Sequence, residues 1–149
     1  MGVRVRAALA AIVAMSLAAA AAAAEFRAGS LTVKDPWSRP TPPGIAVGVV
    51  YLSITNRGAA ADRLLAVTSP RARAGEIHES RMVQGVMQMR AVAWVDCAPG
   101  ATVTIGPGGL HLMLLGLDTP LAAGSEFPVA LRFRDAGTLT LSVRVEARE

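Results

Sequence analysis

Past its first two dozen residues the sequence contains two histidines, His78 and His111, and four methionines, Met82, Met87, Met89 and Met113. His111 lies in Leu110-His111-Leu112-Met113-Leu114. On a strand, alternate side chains share a face. Leu110, Leu112 and Leu114 then claim the core, and His111 and Met113 point the other way together. An imidazole and a thioether at i, i+2 can reach one ion. Three of the methionines fall within eight residues, just after His78, and Met87 and Met89 share a face opposite Gln88 and Arg90. Clustered methionines can be adaptable core filler or ligands. Alone, the cluster fits either reading; its coincidence with the only two histidines tips it towards metal.

Ligand softness then selects the ion. Two thioethers and two imidazoles, with no thiolate and no required carboxylate, favour Cu(I). Zinc prefers cysteine, histidine or carboxylate, and calcium and magnesium want oxygen. A blue-copper electron carrier needs a cysteine ligand. Cys97, the only cysteine, sits in Val-Asp-Cys-Ala-Pro-Gly without a nearby downstream His and Met on one loop. It reads as a small apolar residue at a strand end or turn. Gly106–Gly109 leads into a strand rather than a helix, so it is not a phosphate loop. Glu76 and Glu79 flank His78 on opposite strand faces and read as solvated, with Glu79 at most a partner behind the histidine. No acid, base or nucleophile constellation is visible, so an enzyme is not the expected class.

The elements that must position these residues are strands. Short apolar segments alternate with Gly, Pro, Asn and Asp clusters from Glu25 onward. The expected strands are Leu31–Val33, Ala46–Thr55, Arg63–Ser69, Gly75–Glu79, Gly85–Val95, Ala101–Ile105 and Leu110–Leu115. Phe127–Arg134 and Thr138–Glu146 close the chain as a hairpin. The three prolines between Arg39 and Gly44 exclude a helix and a central strand there. About eight or nine short strands without a long helix imply an all-β sandwich or barrel.

The 149 residues suit one domain. Arg4 and Arg6, an apolar run from Ala7, and small residues at Ala22 and Ala24 have the layout of a secretory signal peptide over residues 1–24. The mature domain is then 25–149. Without Arg4 and Arg6 the 15 basic side chains fall to 13 against 11 acidic ones, a net charge near +2. That is too small and too scattered to argue for nucleic acid. No apolar run after the leader approaches membrane-spanning length, so a soluble, exported, periplasmic monomer is expected. Cys97 is far from the leader's end, so lipid attachment is not expected.

The spacing His78, ten residues, Met89, twenty-one residues, His111, one residue, Met113 resembles the signature of the PCuAC family of periplasmic copper chaperones. Flanking segments resemble it too, among them Gly48-Val49-Val50-Tyr51-Leu52, Glu76-Ile77-His78-Glu79 and Pro107-Gly108-Gly109-Leu110. The likeness runs from about Leu31 to Val145. It implies a cupredoxin-like β-sandwich or barrel. It also implies one Cu(I) ion held near the surface by His78, Met89, His111 and Met113. The partners it implies are the CuA subunit of cytochrome c oxidase and Sco-type thiol proteins. Two features depart from the family. Ser80 stands where many members have a methionine, and the His- and Met-rich tail of some members has no counterpart at Ala147-Arg148-Glu149.

A chaperone must release as well as bind. Flexible thioethers near the surface suit stepwise ligand exchange with a partner, and the Arg39–Gly44 loop and the methionine cluster are candidates for its docking face. Imidazole binds metal only when neutral, so affinity should weaken below about pH 6.5. The rival readings are a copper storage or resistance protein using the same site, and a non-metal module of the cell envelope.

Overall fold

The computed structural model describes residues 24 to 148, and all regular structure in that span is strand. Except for Ala24, the leader assigned to residues 1–24 lies outside the described residues. Eleven strands form the fold: β1 Glu25–Ala28, β2 Leu31–Ser38, β3 Val47–Asn56, β4 Asp62–Thr68, β5 Ala72–Val83, β6 Val86–Ala91, β7 Val95–Cys97, β8 Thr102–Ile105, β9 Leu110–Leu117, β10 Glu126–Phe133 and β11 Gly137–Val145. They make one sheet in the order β6-β5-β9-β3-β2-β11-β10-β4-β7, with β1 on β2 and β8 on the second half of β3. All pairings are antiparallel except β11 with β2.

The sheet curls around a single core cluster to which every strand except β1 and β6 contributes buried side chains. The period-2 pattern builds it. Val50, Leu52 and Ile54 of β3, Leu112 and Leu114 of β9, and Leu141, Val143 and Val145 of β11 are all buried. The packing is tight where β4 meets β5. A Cβ added at Gly75 would stand 2.0 Å from the Val67 carbonyl oxygen, so only glycine fits there.

Eleven strands replace the expected eight or nine for local reasons. Glu25–Ala28 pairs with the start of β2, although its sequence carries little β signal. The expected strand Gly85–Val95 is two strands, β6 and β7, at opposite edges of the sheet. The stretch 31–33 runs on to Ser38 through a bulge. Asp35 adopts φ 49° there, and Pro36 has no ladder donor to lose. Arg148 holds the bulge, donating to both Asp35 carboxylate oxygens at 2.7 and 2.9 Å while its guanidinium lies 4.7 Å from the Trp37 ring centre. The strand Gly75–Glu79 is the middle of the twelve-residue β5. β5 and β6 join through Gln84 and Gly85, both at positive φ (49° and 78°), as a tight hairpin turn of the I′ kind requires.

Candidate metal centre

The ladders bring the four residues expected as ligands onto one sheet face. His78 on β5 lies directly opposite His111 on β9. Two residues along, Glu76 lies opposite Met113. On the other side of β5, Ser80 is paired with Met89 of β6. Directly opposed residues share a face, as do residues two apart. His78, Met89, His111 and Met113 therefore project from the same side of three neighbouring strands. Behind them Leu112 and Leu114 fill the core, as the alternation along β9 predicts.

The two imidazoles lie with ring centroids 5.8 Å apart, tilted at 47°. His111 is only 7% exposed and His78 is half-buried. The partners set which nitrogen of each ring faces an acceptor. His111 Nδ1 lies 2.9 Å from the Gly109 carbonyl oxygen. His78 Nε2 lies 2.7 Å from Glu76 Oε2. A carbonyl and a carboxylate can only accept, so each of these nitrogens carries the proton and donates it. That leaves the lone pairs on His78 Nδ1 and His111 Nε2. Both of these nitrogens are buried and have no hydrogen-bond partner among the described residues. A buried polar atom without a partner is costly and calls for an explanation. A neutral imidazole whose far nitrogen donates to a carboxylate or carbonyl is the arrangement of a metal-ligating histidine.

The residues behind the histidines differ from the sequence expectation. Glu76, two residues before His78 and on its face, makes the hydrogen bond. Glu79 is on the other face, where it accepts from Arg90 at 3.0 Å and from Arg81 at 3.2 Å. The Arg90 guanidinium holds its carboxyl below the usual carboxylate range. The Gly106–Gly109 turn also has a role that its sequence does not announce, because its last carbonyl orients His111. The i, i+2 spacing of Glu76 and His78 carries the first signal, and the turn's position two residues ahead of His111 carries the second.

Among the described residues, no group of three or more His, Cys, Asp or Glu side chains is arranged to hold a metal. The further donors on this face are the thioethers of Met89 and Met113. Met113 is half-buried and Met89 is 58% exposed, so the face grades from enclosed nitrogens to an open sulfur. Cys97 is remote: it is buried on β7, at the sheet edge opposite β6, and burial pushes its thiol upward. The Arg39–Gly44 loop enters β3 at Val47, opposite Leu115, whereas the methionine hairpin lies beyond Leu110 at the other end of β9. The two expected parts of a docking face thus sit at opposite ends of that strand.

The model of the family "Putative lipoprotein LpqE-like" matches residues 31–145. The chain is 30% identical over 134 residues to the "Putative lipoprotein Lxx21020" of Leifsonia xyli subsp. xyli, covering 89% of this chain and 80% of the relative. Its structure is similar to a copper-bound PCuAC domain from PmoF2, with a TM-score of 0.72 and 25% identity over 84% of this chain and 99% of that one. It is also similar to the Cu(I) form of DR1885 from Deinococcus radiodurans, with a TM-score of 0.60 and 25% identity over 86% and 83%. The fold is thus the cupredoxin-like β fold of the PCuAC domains, and the chain belongs to the LpqE-like family.

Proposed function

We propose that this protein is an exported copper carrier that takes up one Cu(I) ion through His78, Met89, His111 and Met113 and passes it to an acceptor protein. One observation carries the reading. The opposed histidines each commit one nitrogen to an acceptor and keep the other buried and unpartnered, on the face that also bears two thioethers. Copper-bound PCuAC and Cu(I)-DR1885 structures with this fold support copper as the cargo. Soft sulfur with imidazole favours the cuprous ion.

The gradient of exposure suits transfer by ligand exchange. An acceptor's ligand can displace the open Met89 first, while the enclosed imidazoles hold the ion until a second ligand arrives. No electron need move, and a thiol acceptor releases its proton to solvent as its sulfur binds the ion. The acceptor class is a protein with a vacant thiolate or imidazole copper site, such as the CuA subunit of cytochrome c oxidase or a Sco-type thiol protein. The lipoprotein relatives and the leader-like N-terminus support a place outside the cytoplasm, which we assign to the periplasm.

The test separates delivery from storage. Cu(I)-loaded protein is mixed anaerobically with apo CuA subunit and with apo Sco-type protein, the two are re-separated, and copper is measured in each. Transfer of most of the ion within minutes to either acceptor is expected. Retention of copper in the presence of excess of both would assign the protein to storage instead.

A further inference from the structure

The β5–β6 hairpin beyond the histidines is anomalous for a folded domain. Every residue of β6 is exposed, and among the described residues the strand pairs only with β5. Eight large hydrophobic side chains are exposed among the described residues, and five of them lie in this one hairpin: Met82, Val83, Val86, Met87 and Met89. Exposed apolar groups concentrated in one place mark a binding site rather than chance. The hairpin is also two-sided. Glu79, Arg81 and Arg90 form ion pairs on one face, joined by Val83 and Val86. Met82, Met87 and Met89 are on the other, which is the face of His78 and His111.

The register makes the methionines a group rather than a scatter. Met82 is directly opposite Met87, and Met89 is two residues further along β6 towards the histidines. Directly opposed Cβ atoms are roughly 4.5–5.5 Å apart, and residues two apart on a strand are separated by roughly 6.5 Å. Three flexible thioether side chains on that triangle can bring their sulfurs to a single ion. Their exposures of 62, 55 and 58% show that they are not filling a core.

We infer that Met82, Met87 and Met89 form a second, weaker Cu(I) site on the hairpin, through which the ion enters and leaves the histidine site. The inference rests on the reading of His78, Met89, His111 and Met113 as the main site. Met89 belongs to both sets and links them. An ion held by three thioethers at the tip keeps Met89 and exchanges Met82 and Met87 for His78, His111 and Met113 as it moves inward. The copper remains Cu(I) throughout, and the tip sulfurs are freed as the imidazole nitrogens bind. A set of neutral sulfurs alone selects a soft monovalent ion over zinc or calcium.

Protein labelled with 13C at the methionine methyls tests this during an anaerobic Cu(I) titration followed by NMR. The Met113 methyl reports the main site; the Met82 and Met87 methyls report the hairpin. We expect Met113 to shift over the first equivalent, and Met82 and Met87 to shift over the second, when an ion on the hairpin competes weakly with the loaded main site for Met89. In the variant carrying both Met82→Leu and Met87→Leu the second event should vanish and the first remain. Met82 and Met87 methyls that stay fixed through three equivalents while Met113 moves would overturn the hairpin site alone. Movement of Met82 and Met87 with Met113 fixed would uphold copper binding on the hairpin and remove the four-residue site instead.

Discussion

His78 and His111, thirty-three positions apart in the chain, are direct cross-strand neighbours, and each keeps a buried nitrogen without a partner among the described residues. Neither could do so without the acceptor on its other nitrogen. A ring free to flip would turn either nitrogen to the ion, and part of the population would present a proton instead of a lone pair.

Glu76 should therefore tune copper without touching it. Glu76→Ala removes the acceptor at His78 Nε2, and the Cu(I) affinity should fall by roughly 10–100-fold, the usual cost of losing a group that orients a ligand. The side chain is exposed, so the unfolding temperature should barely change. Glu76→Gln keeps an acceptor oxygen and should recover part of the loss. Competition with a Cu(I) chelator reads all three proteins, and equal affinities would remove Glu76 from the site.

Met113 offers a cleaner separation of packing from ligation. Leucine conserves its volume, so Met113→Leu should cost less than about 1.5 kcal/mol of stability. Cu(I) affinity should drop by at least as much as in Glu76→Ala, because a coordinating atom is lost. A variant that unfolds would instead make Met113 a packing residue.

Gly75 shows how the fold supports the site from behind. A methyl group there meets the Val67 carbonyl oxygen at 2.0 Å and its carbon at 2.8 Å. Both are backbone atoms, so β5 must shift as a whole. Gly75→Ala should destabilise by about 1–3 kcal/mol or more in urea unfolding. It should also weaken Cu(I) binding, since Glu76 and His78 ride on the displaced strand. Wild-type stability in the variant would contradict the close approach of β4 and β5.

Acid should unfold the domain through carboxylates remote from the site. Arg148 beside Asp35 holds that carboxyl below its ordinary value. Burial pushes Asp62 up, but the backbone N–H groups of Asp135, Arg63 and Ala136 outweigh it and leave it low. A carboxyl lowered in the folded state stabilises above its unfolded pKa, and that stability is lost as pH falls through the folded one. The melting temperature should be level above about pH 5 and fall below about pH 4. Asp62→Asn should lower stability near neutrality by about 1–3 kcal/mol and flatten the acid slope. A melting temperature unchanged from pH 7 to 3 would contradict this.

Much of this was legible from residue patterns. The leucines of Leu110–Leu114 assign the faces of β9 without any knowledge of its neighbours, and the closing hairpin follows from its alternation. What escaped was pairing between distant segments. Nothing local in Glu76-Ile77-His78 says that it lies against His111; the alternation did put Glu76 on the face of His78, but the expectation favoured Glu79 instead. β6 and β7 read as one strand because Ala91–Val95 stays apolar through the break. Pro36 ends a strand by local rules, yet Arg148, over a hundred residues later, holds the bulge that lets β2 continue.

The most direct test of the central claim is an anaerobic Cu(I) titration against a competing chelator, with X-ray absorption at the copper edge on the sample loaded to one equivalent. A tightly bound first equivalent in a shell of mixed nitrogen and sulfur is predicted, with the nitrogen contribution lost in the His78→Ala, His111→Ala double variant. Binding no stronger than the chelator's blank, or a shell without nitrogen in the unaltered protein, would contradict it.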